Sequence, residues 1–198
     1  MSLDPQVWGG ILDLPHPNRP AGKGQIVGFR LSSVQEDAEE FDQAHVALGS
    51  LGAGNSRWLP GVNQATCRAG HGRRHRAPVR ECTCGFYAGS DLVALSRVVG
   101  GLGTHEGVVL CGVQAWGRLV VHDWGFRAQF ARIVTITDQL PSRVIRTIDG
   151  RVIRLLTRPS IDCATAGYLT TYYRAHLVPL SEIAAATAQF GDFLTVRH

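Results

Sequence analysis

Lysine is almost missing from this chain: Lys23 is the only one among 20 basic residues. That absence bears first on the glycine-rich stretch over residues 48–64. A phosphate-binding loop needs a lysine after its glycines and a strand-to-helix junction, and this stretch has neither. The preference for arginine reflects the base composition of a GC-rich genome and is not by itself a functional sign. Long apolar runs are absent as well, and none approaches the roughly 18 residues of a membrane span. The first residues place Asp4 and Pro5 where a secretory leader needs a basic segment and an apolar core. Five cysteines, an odd number, do not make a disulfide framework. The expectation is a reduced, cytoplasmic compartment, where clustered cysteines hold metal more often than they pair. Missing too are G-x-S-x-G, H-E-x-x-H, the dinucleotide fingerprint and the H-x-E…P-C-x-x-C arrangement of zinc deaminases. No internal repeat, heptad or low-complexity tract occurs.

What is there suits a soluble globular chain. At 198 residues, 44% of them apolar, the length is that of one domain able to bury a core without disulfide staples. The 23 glycines favour turns and irregular connections over long helices. A net charge of +4 permits a polyanionic partner without requiring one.

Along the chain, residues 1–24 read as an extended arm, because four prolines and four glycines forbid a regular helix. Its Val7, Trp8, Ile11, Leu12 and Leu14 are too apolar for a free tail and are expected to lie across the domain. Residues 25–198 form a single α+β domain on this reading. A strand is expected over Gln25–Ser33. A helix follows over residues 33–48, with an acidic first turn and an apolar side of Val34, Ala38, Phe41 and His45. Trp58, Leu59 and Pro60 are expected to plug the core. A short helix is expected over Gly85–Val99, with Leu92, Leu95 and Val99 at helical spacing. From Gly107 three β-rich runs predict an antiparallel meander. Asp149-Gly150 between two Val-Ile-Arg runs predicts a tight hairpin, along which Arg143, Arg146, Arg151 and Arg154 make a basic ribbon. The C-terminal part adds a helix capped by Ser181 and a last strand in the tail from Asp192.

The stretch Cys67–Ala88 concentrates the chemistry. Cys67, His75, Cys82 and Cys84 supply four soft or borderline donors, and the two intervening segments are long enough to fold back on one ion. Pro78 stiffens the second segment, and Gly85 permits a sharp turn after the last thiol. Cys82-Thr83-Cys84 is a tighter chelate than the usual C-x-x-C, and His71 competes with His75 for the third position. Cys111 and His122 are more distant alternatives. Four protein ligands leave no open position, so such a zinc is structural. Arg68, Arg73, Arg74, Arg76 and Arg80 decorate the same loop. They are candidates for gripping phosphates, or else are simply solvated.

Two blocks of residues carry a resemblance. The first runs from Trp58-Leu59-Pro60-Gly61 through Ala65-Thr66-Cys67 and His75-Arg76-Ala77-Pro78 to Cys82-Thr83-Cys84-Gly85-Phe86-Tyr87-Ala88. The second is Ala115–Ala128. Together they resemble uncharacterised actinobacterial proteins with a W-x-P-G, C, H-x-A-P, C-x-C-G-x-Y-A block followed by W-G-x-V-x-x-H-x-x-G-x-R-A. The resemblance covers Trp58 to about Ala131 and implies no activity. It selects His75 over His71 and puts His122, Gly125, Arg127 and Ala128 in one motif with the cysteines.

From the residues themselves, Trp116–Ala131 reads as a hairpin turning at Asp123-Trp124-Gly125, with His122 and Arg127 at its ends. They are either a small polar site or structural groups, His122 bonded in the core and Arg127 on backbone carbonyls or Asp123. Cys163 with His176 downstream is a weak thiol-enzyme pair, and Cys111 in its apolar run reads as inert core. The expectation is therefore a non-enzymatic, zinc-stabilised α+β module, with zinc at Cys67, His75, Cys82 and Cys84. It binds a protein or nucleic-acid partner through Arg73, Arg74, Arg76, His122 and Arg127, and no membrane. The alternative is a small-molecule-binding or enzymatic domain with its site near His122 and Arg127.

Overall fold

A computed structural model describes residues 11–14, 25–37, 45–50, 57–67, 75–92, 95, 107–146 and 152–194. These residues are mostly β-sheet with a few short helices, compatible with an α+β class. The strands are β1 (Ile11–Leu14), β2 (Ile26–Asp37), β3 (His45–Ser50), β4 (Asn63–Gln64), β5 (Phe86–Gly89), β6 (Val108–His122) and β7 (Gly125–Thr137). After β8 (Gln139–Arg146) and β9 (Val152–Pro159) come helix α1 (Cys163–Tyr173), β10 (His176–Leu177), helix α2 (Ile183–Ala188) and β11 (Asp192–Phe193).

Nine of the strands share one sheet, and their order is not a meander. Strand β6 lies between β2 and β7, while β5 pairs with β7 along Phe86–Gly89 and meets β2 where Gly89 faces Phe29. The pairing path β2–β6–β7–β5 thus returns to β2. Glycine makes that closure possible. Gly89 is the register partner of Gly125, a Cβ on Gly125 would overlap the Ala88 carbonyl, and one on Gly28 would sit 2.6 Å from the Gly89 carbonyl oxygen. Three backbones meet where no side chain fits.

The three β-rich runs expected after Gly107 are two long strands joined at Asp123-Trp124, since His122 faces Gly125. The β8 and β9 strands pair antiparallel in a separate two-stranded sheet. The Asp149-Gly150 turn and the side chains of the expected arginine ribbon lie outside the described residues. Within the arm, Ile11–Leu14 pairs with Gly117–Val120 of β6, and the rest of residues 1–24 is outside the description.

Two helix expectations give way to strands. Ser32–Asp37 pairs residue by residue with His45–Ser50, so the described ends of the expected 33–48 helix are a β-hairpin. Val34 and Val46 pack against the core cluster that contains Leu48 and Trp58. Cross-strand pairing and that burial outweigh the helical propensity of the acidic run. The expected helix over Gly85–Val99 begins instead as β5, because Phe86 and Ala88 alternate inward against Trp58 and the core. Leu92 and Leu95 are helical, as their spacing suggested.

Trp58 does plug the core, 1% exposed, with Phe86 tilted against it and the Arg30 guanidinium over its face. Leu59 is 58% exposed and Pro60 is exposed, because the chain turns outward there. Asn63 holds that turn through hydrogen bonds with the Leu59 backbone N–H and carbonyl. Helix α1, which the sequence reading missed, buries Ala166, Leu169 and Tyr173. The Tyr173 hydroxyl accepts from the Leu48 N–H and donates to the Trp58 carbonyl, each at 2.9 Å. It fastens β3 and the Trp58 turn to the helix. The signal for α1 was present, since Asp162 is its N-cap and accepts from the Thr165 N–H at 2.7 Å. In α2 the N-cap is Glu182 and no side-chain cap forms. A turn from Pro179 to Glu182 takes up Ser181, so it does not cap. The final strand, Asp192–Phe193, pairs parallel with Ile26–Val27.

Candidate metal centre

The metal loop is built on one edge of β7. Strand β4 pairs there with Phe130 and Ala131, and the Ala65 N–H continues to the Gln129 carbonyl. The chain then leaves the sheet and returns at Phe86, opposite Ala128. Exit and return are one residue apart along β7, so the sheet already brings the two ends of residues 66–85 together. Cys67 stands just after the exit and Cys84 just before the return. Within the loop, Ala77 and Pro78 are buried. Gly85 has φ +117°, and a Cβ there would lie 3.0 Å from the Pro78 Cβ and 3.1 Å from the Arg127 Cβ. The turn after the last thiol therefore requires glycine.

Cys67, His75, Cys82 and Cys84 come together with all their ligand atoms within 4.8 Å of one another, and all four are half-buried. The Cys67 and Cys82 sulfurs are 3.6 Å apart, and His75 Nε2 is 3.2 Å from the Cys84 sulfur. The five cysteines of the chain are all free thiols. The group can hold a metal ion. The thiols differ in acidity: hydrogen bonding from the Cys84 backbone N–H, with further help from neighbouring side chains, lowers Cys82 to about 7, whereas burial, with the neighbouring thiols, raises Cys84 to about 11. A cation in their midst reverses that conflict, because bound thiols ionise.

Arg127 joins this loop to the sheet. Phe126 and Ala128 face the core, so Arg127 points to the opposite face, over which the loop lies. It is only 3% exposed. Its guanidinium donates to the carbonyls of Cys82, Cys84 and Arg80, and its Nε–H to His122 Nε2 at 2.8 Å. Because His122 Nε2 accepts, the neutral imidazole carries its proton on Nδ1. Burial, followed by the Arg127 charge, lowers the His122 pKa and keeps it neutral. Tyr87, the register partner of Arg127, lies under the guanidinium at 5.6 Å and donates its hydroxyl to the Thr83 carbonyl at 2.9 Å.

The remaining predicted site residues divide. Arg76 is exposed beside His75, while Arg73, Arg74 and the competing His71 lie outside the described residues. Cys111 is fully buried on β6, with its thiol pushed up to about 12 by burial, and is not among the four. Cys163 is exposed at the start of α1 and His176 follows its far end. A helix of 11 residues spans roughly 16 Å, so the thiol–imidazole pair does not form. The sequence reading also missed Tyr87 and Trp124, whose rings lie beside His122. Alternation along β5, inward Phe86 and Ala88 against outward Tyr87, could have placed the tyrosine.

No protein-family model matches the chain, and comparison with curated proteins and with solved structures finds no similar protein.

Proposed function

We propose that this chain is a non-enzymatic interaction module whose irregular loop is closed by a structural zinc ion. The ligands are Cys67, His75, Cys82 and Cys84, and their convergence from three points of the loop is the observation that carries the reading. Tetrahedral zinc with bonds of about 2.3 Å to sulfur and about 2.0 Å to nitrogen sets ligand atoms roughly 3.5–3.8 Å apart. The separations of 3.6 and 3.2 Å are close enough for an ion to enter with small adjustments, whereas a disulfide needs about 2.05 Å. Three thiolates and an imidazole suit zinc and disfavour the oxygen-seeking divalent cations. Four protein donors leave no coordination position for water or substrate, so the ion supplies folding energy and not chemistry.

The alternative site at His122 and Arg127 has less support. The guanidinium is committed to loop carbonyls and to His122, which leaves the imidazole Nε2 occupied. The pair thus reads as the brace of the metal loop. Competition between the protein and a chromogenic chelator tests the ligand set. Serine at Cys67, Cys82 or Cys84, or alanine at His75, should lower zinc affinity by orders of magnitude, while Cys163→Ser and His71→Ala leave it unchanged. Equal loss in the control variants would reject this ligand set.

A further inference from the structure

The hairpin tip beside the metal loop carries a surface that zinc binding does not explain. Trp124 occupies a two-residue turn and is 46% exposed, although Trp58 and Trp116 are buried. Its ring lies near two others: Tyr87–Trp124, His122–Trp124 and Tyr87–His122 have centroids 6.2, 6.1 and 6.4 Å apart, with planes within 17° of parallel. Three nearly equal separations exclude a column, in which the outer pair would be twice as far apart as the inner pairs. The rings are offset from one another with nearly parallel planes. Arg127 holds the set from the buried side, over Tyr87 and bonded to His122, so the surface is preorganised.

We propose that Tyr87, His122 and Trp124 are a stacking surface for the bases of a single-stranded nucleic acid, with Arg76 and Arg80 taking its phosphates. Parallel, partly exposed rings beside basic groups are the means by which single strands are bound without sequence readout. Charge complementarity selects this occupant. From Cys67 to Cys84 the sequence has five arginines and one acid, Glu81, for a formal charge of +4, equal to that of the whole chain. Arg76 and Arg80 are exposed and form no ion pair among the described residues. Arg80 adjoins the surface, since its carbonyl accepts from Arg127 at 3.4 Å. Asp123, exposed at the turn, is the opposing charge within the tip.

This inference rests on the zinc reading, because the metal loop positions both Arg80 and Thr83, and the test separates the two. Zinc-loaded full-length protein is titrated into labelled oligouridylate and oligodeoxythymidylate, with anisotropy and tryptophan emission followed together. Zinc content and thermal midpoint are measured on the same samples. Binding is expected to quench emission and to weaken steeply with salt. Trp124→Ala should lose affinity by about tenfold or more, with zinc content and thermal midpoint unchanged. Replacing Arg76 and Arg80 by alanine should lower the salt slope by about 1.4. A zinc-loaded protein that binds neither oligonucleotide at low salt overturns the proposal and leaves the face to a protein partner. Equal affinity in Trp124→Ala overturns it as well. Protein without zinc refutes the metal reading, whatever the oligonucleotide result.

Discussion

Replacing Arg127 by methionine probes how the metal loop is attached. The substitution keeps an apolar stem in place of the side chain but removes every donor. Three loop carbonyls and His122 Nε2 then lose their partner. A hydrogen bond to a charged group contributes roughly 1.5–3 kcal/mol, and a buried acceptor left without a donor costs roughly 1–3 kcal/mol. Arg80 is exposed and Cys82 and Cys84 are half-buried, so water can reach part of what is lost. Four acceptors at the bottom of the lower range give a loss of about 4 kcal/mol in all. For a chain of this length each kcal/mol moves the thermal midpoint by about 2–4 °C, so Arg127→Met should melt roughly 10 °C lower. Zinc affinity should fall as well, by about 10–100-fold, the usual effect of removing a group that orients a ligand-bearing segment. Thermal unfolding with and without zinc, together with chelator competition, reads both effects. His122→Ala removes only one of the four contacts and should cost less than half as much. Arg127→Met with unchanged midpoint and unchanged zinc affinity would refute the bracing role.

Other perturbations test separate parts of the account. Tyr173→Phe leaves the Leu48 N–H and the Trp58 carbonyl unpaired in the core and should cost about 2 kcal/mol in denaturant titration; an effect below about 0.5 kcal/mol would contradict the fastening role. Burial lifts the Tyr173 phenol from its ordinary 10.0 to about 12. Its folded pKa is the higher one, so its contribution is complete below about pH 10 and is lost as the pH rises through about 12. Wild-type protein should lose stability over that window more steeply than Tyr173→Phe, and equal slopes would exclude the tyrosine as the cause. Gly85→Ala forces a Cβ against Pro78 and Arg127 at positive φ; a destabilisation above about 1 kcal/mol is expected, with weaker zinc binding in the same titration. Burial holds the Cys84 thiol protonated at neutral pH, at about 11, so zinc must displace at least that proton and affinity should rise with pH. Calorimetry in buffers of different ionisation enthalpy measures the release, and none at neutral pH would exclude Cys84 as a thiolate ligand.

The Cys/His cluster that could hold a metal ion was legible in the sequence, and the sheet around it much less so. Cysteine and histidine are scarce and their donor chemistry is specific, so the three cysteines of Cys67–Cys84 stood out, while the residues alone left His71 and His75 in competition. The hairpin from Trp116 to Ala131 was readable too, because its inward and outward residues alternate about a short turn. Glu36 and Asp37 misled, since an acidic run after a serine resembles the first turn of a helix, and pairing with β3 is decided by residues further along the chain. The closure at Gly28, Gly89 and Gly125 joins positions far apart in sequence, and a glycine alone does not name its partner. The bracing by Arg127 was open for a related reason. Its acceptors are carbonyls of Arg80, Cys82 and Cys84, and carbonyls are common to every residue. Helix α1 was the avoidable miss, because Asp162 and Thr165 spell its cap.

The most direct test of the central claim is the metal content of freshly purified protein, followed through chelation. The account predicts about one equivalent of zinc per chain, held until a strong chelator is added, with a lower thermal midpoint once it is stripped and recovery when zinc is returned. Less than about half an equivalent, in protein whose unfolding is indifferent to the chelator, would contradict a zinc-closed loop.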